Sequence, residues 1–413
     1  MKIQGIAPAL GLAALAAFAL SACNQDGLAH RSLAPIPSET VALMERVGTT
    51  KEAPMLIRAY KKEAELEIWK MRSDGRYVHL KTYPMCRWSG QLGPKRQQGD
   101  RQVPEGFYSI GPAQMNPNSS YYLSFNVGYP NALDRALGHT GGDIMVHGAC
   151  SSAGCFSMTD KQIAEIYAVA RSSLAGGQRA IQMQSFPFKM TAENLAKHRL
   201  DPNIGFWKQL KEGSDHFEAT LQEPQVAFCS RRYVFNASSA APLDPNAACP
   251  ALKQDPEIAQ AVAEKSAQDD AKIAELVQSG VKPVRVVYQD GGQHPSFASR
   301  VSEVSRPETI VPPTEIAADE KLSRGAGKAA AKLADKSPVV TLAAARAADE
   351  SSRTHVAMAP TRSDRREMSA LTASDPIPAN ALKKGLRPDK DALAGDIPIP
   401  PVPIGARKSA AVH

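Results

Sequence analysis

The sequence has few aromatic residues, and roughly its last quarter has none. Phe, Trp and Tyr make up 6% of the 413 residues, and Phe297 is the last of them. A region without aromatic side chains has little from which to build a core, so we expect a disordered tail. No apolar run reaches the roughly 18 to 20 residues that a membrane-spanning helix needs, which excludes a polytopic membrane protein. Hydrophobic residues still account for 43% of the chain, which excludes disorder throughout.

Cysteine is also scarce, with six in the chain. Besides Cys23, they are Cys86, Cys150, Cys155, Cys229 and Cys249. If Cys155 is the free thiol, the other four allow three disulfide connectivities, and the sequence does not choose among them. No pair shows the Cys-x-x-Cys spacing with a following His that zinc modules use, so we expect no metal and no cofactor.

The N-terminus predicts export and a lipid anchor. Lys2 precedes an apolar stretch over residues 6–20, which is the pattern of a secretory signal peptide at residues 1–22. The residues Leu20-Ser21-Ala22-Cys23 resemble a bacterial lipobox, which implies lipidation of Cys23 and a periplasmic, membrane-tethered protein. Asn24 rather than Asp follows, which favours the outer membrane. The alternative is an ordinary signal peptide with an incidental cysteine.

The charge balance favours an anionic partner without identifying it. The formal net charge is +7 and the pI is near 9.0. Nucleic acid, a membrane surface and a cell-wall polymer would all suit such a chain.

The composition divides the chain into four parts after the signal peptide. We expect a tether over residues 23–54, a strand-rich domain over 55–236, a helical extension over 237–297 and a disordered Ala/Pro-rich tail over 298–413. Short strand-like runs separated by turn residues indicate a mainly β domain with peripheral helices. Strands are predicted at residues 66–70, 77–83, 106–110, 121–127, 143–146, 181–186, 225–235 and 284–288. Helices are predicted at residues 39–47, from Thr159-Asp160 onward, from 206 and over 256–278.

The residues that bear chemistry lie between His139 and Asp160. An apolar strand ends at His147, and a loop of small residues then leads to Gly154-Cys155. A nucleophilic cysteine needs a nearby base, backbone donors for an oxyanion and room for the substrate. Glycine beside the cysteine allows close backbone approach. The alternative is a buried thiol and a structural imidazole.

The same stretch resembles a known family. His147-Gly148 followed by Ser152-x-Gly154-Cys155 is similar to the pattern of L,D-transpeptidases with a YkuD domain. Residues 144–148 and 154–160 resemble its YafK-like branch, and the likeness extends over roughly residues 55–235. The resemblance implies a β-sandwich or barrel-like catalytic domain that acts on peptidoglycan stem peptides.

Carried onto these positions, the resemblance implies a cysteine acyl-transfer mechanism. Cys155 would attack the carbonyl of the third stem-peptide residue, meso-diaminopimelate, with His147 moving the proton. Gly154, Ser152 and Gly148 would line the oxyanion and substrate positions, with the backbone N–H of Cys155 holding the oxyanion. Ser152 either contacts substrate or braces the loop. An amine acceptor would complete transpeptidation, whereas water would trim the peptide or release a wall-linked envelope lipoprotein, an activity associated with this branch.

Several departures keep alternatives open. The His-to-Cys loop is shorter than is usual in the wider family, Ala153 precedes Gly154, and Ser157 stands where an Arg is usual. His139, sixteen residues before Cys155, is a second candidate base. A redox protein using Cys150 and Cys155 and a non-catalytic wall-binding lipoprotein are the competing classes. The expected partners are stem peptides, a wall-linked lipoprotein and the membrane through the anchor, with no nucleic acid.

Overall fold

A computed structural model describes residues 31–300, 304 and 311–318. The predicted signal peptide, Cys23, the first part of the tether and most of the tail lie outside these residues. Within the described part of the chain, no helix combines the length and the apolar character that crossing a bilayer requires.

The chain forms fifteen strands and six α-helices within the described residues. The strands are β1 (Met55–Tyr60), β2 (Glu65–Met71), β3 (Tyr77–Pro84), β4 (Gly106–Ile110), β5 (Met115–Asn116), β6 (Ser124–Asn126), β7 (Met145–His147), β8 (Phe156–Ser157), β9 (Ile181–Phe186), β10 (Val226–Cys229), β11 (Arg232–Phe235), β12 (Ala237–Ser238), β13 (Lys253–Gln254), β14 (Val284–Val287) and β15 (Thr314–Ala317). The helices are α1 (Ser38–Arg46), α2 (Ala132–Ala136), α3 (Asp160–Ala175), α4 (Ala192–Lys197), α5 (Ile204–Thr220) and α6 (Pro256–Gln278).

Two mixed sheets build the strand-rich domain. The larger has the order β3-β2-β1-β9-β4, with β1 and β9 parallel and the other neighbours antiparallel. The smaller has the order β5-β6-β7-β8, with β7 and β8 parallel. The predicted mainly β fold class is confirmed, and β2, β3, β4 and β9 lie where the short strand-like runs of the sequence predicted them.

Helix α3 contacts both sheets instead of lying at the periphery. It contacts β1 of the larger sheet and β6 and β7 of the smaller. The Thr159 side chain caps its N-terminus by accepting the Gln162 N–H, as the sequence predicted. Its Ile163, Ile166 and Val169 side chains are fully buried in the main core. This central helix begins three residues after Ser157, the last residue of β8, and so helps to fix the end of that strand.

The expected final strand over residues 225–235 is wrong. The structure has a hairpin of β10 and β11 there, and its turn places Ser230 and Arg231 at φ values of 50° and 56°. Two successive left-handed residues are the geometry of a tight hairpin turn, which usually carries Gly, Asn or Asp. Because neither Ser230 nor Arg231 is one of these residue types, the sequence does not predict the turn.

Two expected boundaries also differ from the structure. Ile36 and Met44, placed in the tether by the sequence, are buried in the main core, and the Thr40 hydroxyl donates to the buried Glu165 carboxylate. Strand β15 lies within the stretch expected to be a disordered tail and pairs with β14. In both places the chain covers apolar or edge-strand surface that would otherwise meet water.

Candidate active site

His147 is the last residue of β7, an inner strand of the smaller sheet. The strand pairs with β6 on one side and with β8 on the other, where His147 is opposite Ser157. Gly148 ends it, and its N–H donates to the Tyr121 carbonyl at 3.0 Å. A Cβ at Gly148 would lie 2.9 Å from that oxygen and 2.6 Å from Asp160 Oδ1. Gly148 is therefore required by close packing.

The His147 ring is buried and held in one tautomer. His147 is only 3% exposed. Its Nδ1 lies 2.6 Å from the Gly148 carbonyl oxygen, so Nδ1 carries the proton. Nε2 lies 3.4 Å from Ser157 Oγ, but that hydroxyl donates its proton to the Ser151 carbonyl. Nε2 therefore keeps its lone pair. Burial lowers the pKa of His147, which makes it a neutral base at physiological pH.

Tyr121 covers the His147 ring. The two ring centroids are 4.6 Å apart, and Tyr121 is 49% exposed. An exposed aromatic side chain against a buried imidazole limits its access to water and adds apolar surface at the mouth of the site. The sequence predicted a strand at this position and gave no indication that Tyr121 would contact His147.

A tight turn presents Cys155. Gly154 has a φ of 130°, a conformation that favours glycine. The Ser152 hydroxyl accepts the Cys155 N–H at 3.2 Å and donates to the Cys155 carbonyl at 2.7 Å. It also lies 3.4 Å from the Gly154 nitrogen, in a geometry that accepts its N–H. Ser152 thus braces the turn, and it occupies the two backbone donors expected to hold an oxyanion.

The thiol faces the start of β7. Cys155 Sγ accepts the Met145 N–H at 3.4 Å and lies 3.9 Å from the Asp143 carbonyl oxygen. The β7–β8 pairing begins at Val146 and Phe156, so the Met145 N–H lies one residue before the first paired position. Burial raises the pKa of Cys155; the Met145 hydrogen bond and the Lys95 charge oppose this rise, and Asp143 adds to it. The resting group is a thiol.

Cys155 and His147 lie on neighbouring parallel segments without a direct hydrogen bond between thiol and imidazole. Cys155 immediately precedes β8, whose Ser157 pairs with His147. Catalytic hydrogen bonds often form only when substrate is bound. The arrangement is that of a neutral thiol and a neutral base.

His139 belongs to a different local structure. Its Nδ1 lies 3.3 Å from Asp134 Oδ1, and its N–H donates to the Asp134 carbonyl after helix α2. It makes no hydrogen bond with Cys155. Of the two candidate bases, His147 is the one on the strand beside the turn that presents Cys155.

The disulfides leave Cys155 as the free cysteine of the described residues. Cys86 pairs with Cys150 and Cys229 with Cys249, which selects one of the three connectivities. Cys150 is therefore not the redox partner of Cys155. Ala149 and Cys150 adopt φ values of 63° and 43°, so this covalent tie holds a strained stretch just before the nucleophile turn.

The described residues contain no group of three or more His, Cys, Asp or Glu side chains that could hold a metal ion. The chemistry available at the site is that of a thiol, an imidazole and backbone donors. Such a set can transfer an acyl group through a thioester.

Comparison with known proteins assigns the class. A model of the L,D-transpeptidase catalytic domain, YkuD, matches residues 61–176. The chain is 42% identical over 182 residues to the protein named "Putative L,D-transpeptidase YafK" in Escherichia coli (strain K12), a match that covers 44% of this chain and 74% of that protein. The chain belongs to the YkuD L,D-transpeptidase family, in its YafK-like branch.

Other similar proteins include the YafK of Escherichia coli O157:H7, with the same identity and coverage. Among solved structures, the helical cell shape determining protein Pgp2 from Campylobacter jejuni is 16% identical, with 46% of this chain and 80% of that chain covered and a TM-score of 0.27. Bd1075 from Bdellovibrio bacteriovorus is 15% identical, with 42% and 76% covered and a TM-score of 0.24.

Proposed function

We propose that this protein is a peptidoglycan L,D-transpeptidase in which Cys155 is the nucleophile and His147 the base. Family membership supports the reaction class. The observation that carries the residue roles is the free Cys155, on a glycine turn beside the strand that ends at His147. The Nδ1 hydrogen bond to Gly148 leaves Nε2 as the basic nitrogen.

The proposed reaction has two acyl-transfer steps. The Cys155 sulfur attacks the carbonyl of the third stem-peptide residue, meso-diaminopimelate, while His147 Nε2 takes the thiol proton. The bond to the following residue breaks, and the imidazolium returns the proton to the leaving amine. An acceptor amine then attacks the thioester and loses a proton to His147, the C–S bond breaks, and the imidazolium gives its proton to the departing Cys155 sulfur.

The oxyanion donors follow from the backbone around the turn. The Met145 N–H points at the thiol, so it is our first candidate for the oxyanion that forms on the attached carbonyl. The N–H groups of Gly154 and Cys155 would join it when the Ser152 hydroxyl moves away from them. Ser152 then holds the turn in the resting enzyme.

We propose that the enzyme works in the periplasm, anchored by lipid on Cys23 and placed in the outer membrane. Such a tether would keep the site within reach of the wall, and stem peptides, with or without a linked envelope lipoprotein, would be its partners. Water could replace the amine acceptor in the same thioester chemistry, which would make the protein a hydrolase that trims stem peptides or releases a wall-linked lipoprotein.

Product analysis tests the proposal and separates the two acceptors. Purified full-length protein in detergent is incubated with tetrapeptide muropeptides or with lipoprotein-linked peptidoglycan fragments, and the products are identified by mass spectrometry. A dimer with a 3→3 bond, lost in Cys155→Ala, is expected. Tripeptide or released lipoprotein without dimers would indicate hydrolysis. Absence of any product would contradict the catalytic proposal.

A further inference from the structure

An arginine that the proposed reaction does not use stands beside the nucleophile turn. Arg101 Nη2 donates to the Ser152 carbonyl at 3.2 Å, three residues before Cys155. The Arg101 carbonyl accepts the Ser89 hydroxyl at 2.7 Å, and Ser89 Oγ lies 3.0 Å from Ser152 Oγ. Both the backbone and the side chain of Arg101 are therefore tied to the turn that presents the thiol.

Asp290, from the extension beyond the domain match, holds this arginine in place. Its Oδ2 lies 2.7 Å from Arg101 Nη2 and 3.3 Å from Arg87 Nη2. Burial opposes ionisation of Asp290, but the hydrogen bond and charge of Arg101, together with Arg87, hold its pKa below the ordinary value. The carboxylate is thus ionised at neutral pH.

The segment that carries Asp290 is itself fixed. The Gly291 N–H donates to the Gly90 carbonyl at 2.8 Å, and Gly292 and Trp88 exchange backbone hydrogen bonds. A Cβ at Gly291 would lie 2.0 Å from the Trp88 carbonyl oxygen, so only glycine fits there. The extension therefore places Asp290, and through it Arg101, without a flexible loop between them.

Part of the guanidinium still faces solvent. The Arg101 side chain is 39% exposed, and its hydrogen bonds within the described residues all use Nη2. Nε and Nη1 keep their N–H donors for a ligand. A guanidinium with a fixed orientation and free donors matches the geometry of a carboxylate, and such charge-assisted pairs are stronger than neutral ones.

We propose that Arg101, oriented by Asp290, binds a free carboxylate of the acyl-donor peptide and makes the enzyme selective for acidic peptides. The inference rests on the proposed function for the identity of the peptide. Because Arg101 contacts Ser152, three residues before Cys155, the bound carboxylate would lie within a few peptide residues of the carbonyl that Cys155 attacks. Arg101 is then a specificity residue, and Asp290 positions it.

Binding to Cys155→Ala tests the inference without relying on catalysis. Titration calorimetry compares a stem tetrapeptide that has free carboxylates with the same peptide fully amidated, on Cys155→Ala and on Cys155→Ala with Arg101→Gln. We expect Arg101→Gln to weaken binding of the acidic peptide about 10- to 100-fold and that of the amidated peptide less than about 2-fold. Arg101→Lys should recover part of the loss, and Asp290→Asn should give an intermediate loss.

Arg96→Ala is the matched control, because this exposed arginine lies in the same loop and contacts Asn203. It should leave both affinities unchanged. Equal loss for the two peptides with Arg101→Gln, no loss, or no binding of the acidic peptide at millimolar concentration would overturn the inference. If the acidic peptide binds selectively but the wild-type protein forms no product, the proposed function would be contradicted and the carboxylate site would still be supported.

Discussion

The two sheets of the catalytic region are held together in different ways. Strands of the larger sheet are five to eight residues long, and every residue of β1 and β9 is buried. Strands of the smaller sheet, which carries His147, have two or three residues. The larger sheet relies on long ladders and a core, whereas the smaller depends on a disulfide, the Ser152 hydroxyl and the close packing of Gly148.

This difference separates stability from activity. A change in the larger sheet removes buried contacts on which the whole fold depends, and we expect it to lower the free energy of unfolding. A change around the smaller sheet moves a few backbone groups near the thiol, and we expect it to alter the reaction first. Substitutions in the two sheets should therefore give opposite ratios of stability loss to activity loss.

Among changes that keep the Cys155 thiol, the largest effect on activity is expected from His147→Gln. It removes the base on Nε2, so transpeptidation should fall about 10²- to 10⁴-fold, measured as product formed per unit time by mass spectrometry. The melting temperature should change little because Gln has similar size. His139→Gln is the control and should keep activity, since His139 bonds with Asp134. Equal losses in the two variants would contradict the choice of base.

The largest effect on stability is expected from Lys61→Met, just beyond β1. Lys61 and Glu105 form an ion pair at 2.9 Å with fully buried side chains, and Lys61 also donates to the Gly93 carbonyl. Removing one partner leaves a buried charge, which should cost about 3 to 5 kcal/mol in urea unfolding. Activity per folded molecule should persist. Lys62→Met, whose ammonium bonds with Asn194, should cost much less.

Removing the disulfide before the nucleophile turn should affect both properties. The double change Cys86→Ala with Cys150→Ala should cost about 2 to 4 kcal/mol of unfolding free energy. It should also lower activity, because Ala149 and Cys150 can then relax from their left-handed conformations.

The second disulfide supplies the matched control. Cys229→Ala with Cys249→Ala removes the tie between the β10–β11 hairpin and the following loop, far along the chain from the turn. It should cost stability but leave activity per folded molecule. If activity falls equally in both double variants, the disulfide at Cys150 has no special role at the site.

Two buried histidines sharpen the comparison through pH. Burial first, and then the nearby Lys62 charge, lower the pKa of His198 to about 4. The folded state therefore favours neutral His198. Its contribution to the free energy of unfolding is fully present above pH 6.5 and is lost as pH falls toward 4. Between neutral pH and pH 5, protonation of His198 should lower the free energy of unfolding by about 2 kcal/mol.

Urea unfolding at pH 7 and pH 5 measures this contribution. His198→Phe, which can keep the stacking on Phe188, should lose less stability between the two pH values than the wild type. The exposed His79→Gln should behave as the wild type. An unchanged pH dependence in His198→Phe would refute the assignment, whereas His147 should affect the pH dependence of activity.

The sequence predicted the parts of the fold that follow from simple periodicity. Short strand-like runs between turn residues predicted β2, β3, β4 and β9, and apolar positions among charged residues predicted α6 over residues 256–278. The sequence could not predict the β10–β11 turn, because Ser230 and Arg231 adopt left-handed conformations that are uncommon for both residue types. Helix α1 was predicted, but its docking depends on distant groups such as Glu165.

The candidate site shows the same limit. The residues His147 and Cys155 could be selected from their motif, and the structure places His147 at the end of β7 and Cys155 on the turn just before the neighbouring β8. The hydrogen bonds of Ser152 and the donor at Met145 could not be predicted, because they depend on where the β7–β8 pairing begins. The role of Asp290 could not be predicted from the sequence, because its contact with Arg101 joins residues 189 positions apart.

Trapping the acyl-enzyme tests the central claim most directly. Full-length protein is mixed with a stem tetrapeptide, quenched in acid within seconds, and examined by intact mass and peptide mapping. The account predicts a thioester of the tripeptide on Cys155, absent in Cys155→Ala. It also predicts that the adduct forms far more slowly in His147→Gln. No adduct on Cys155, or an adduct that persists in Cys155→Ala, would contradict the account.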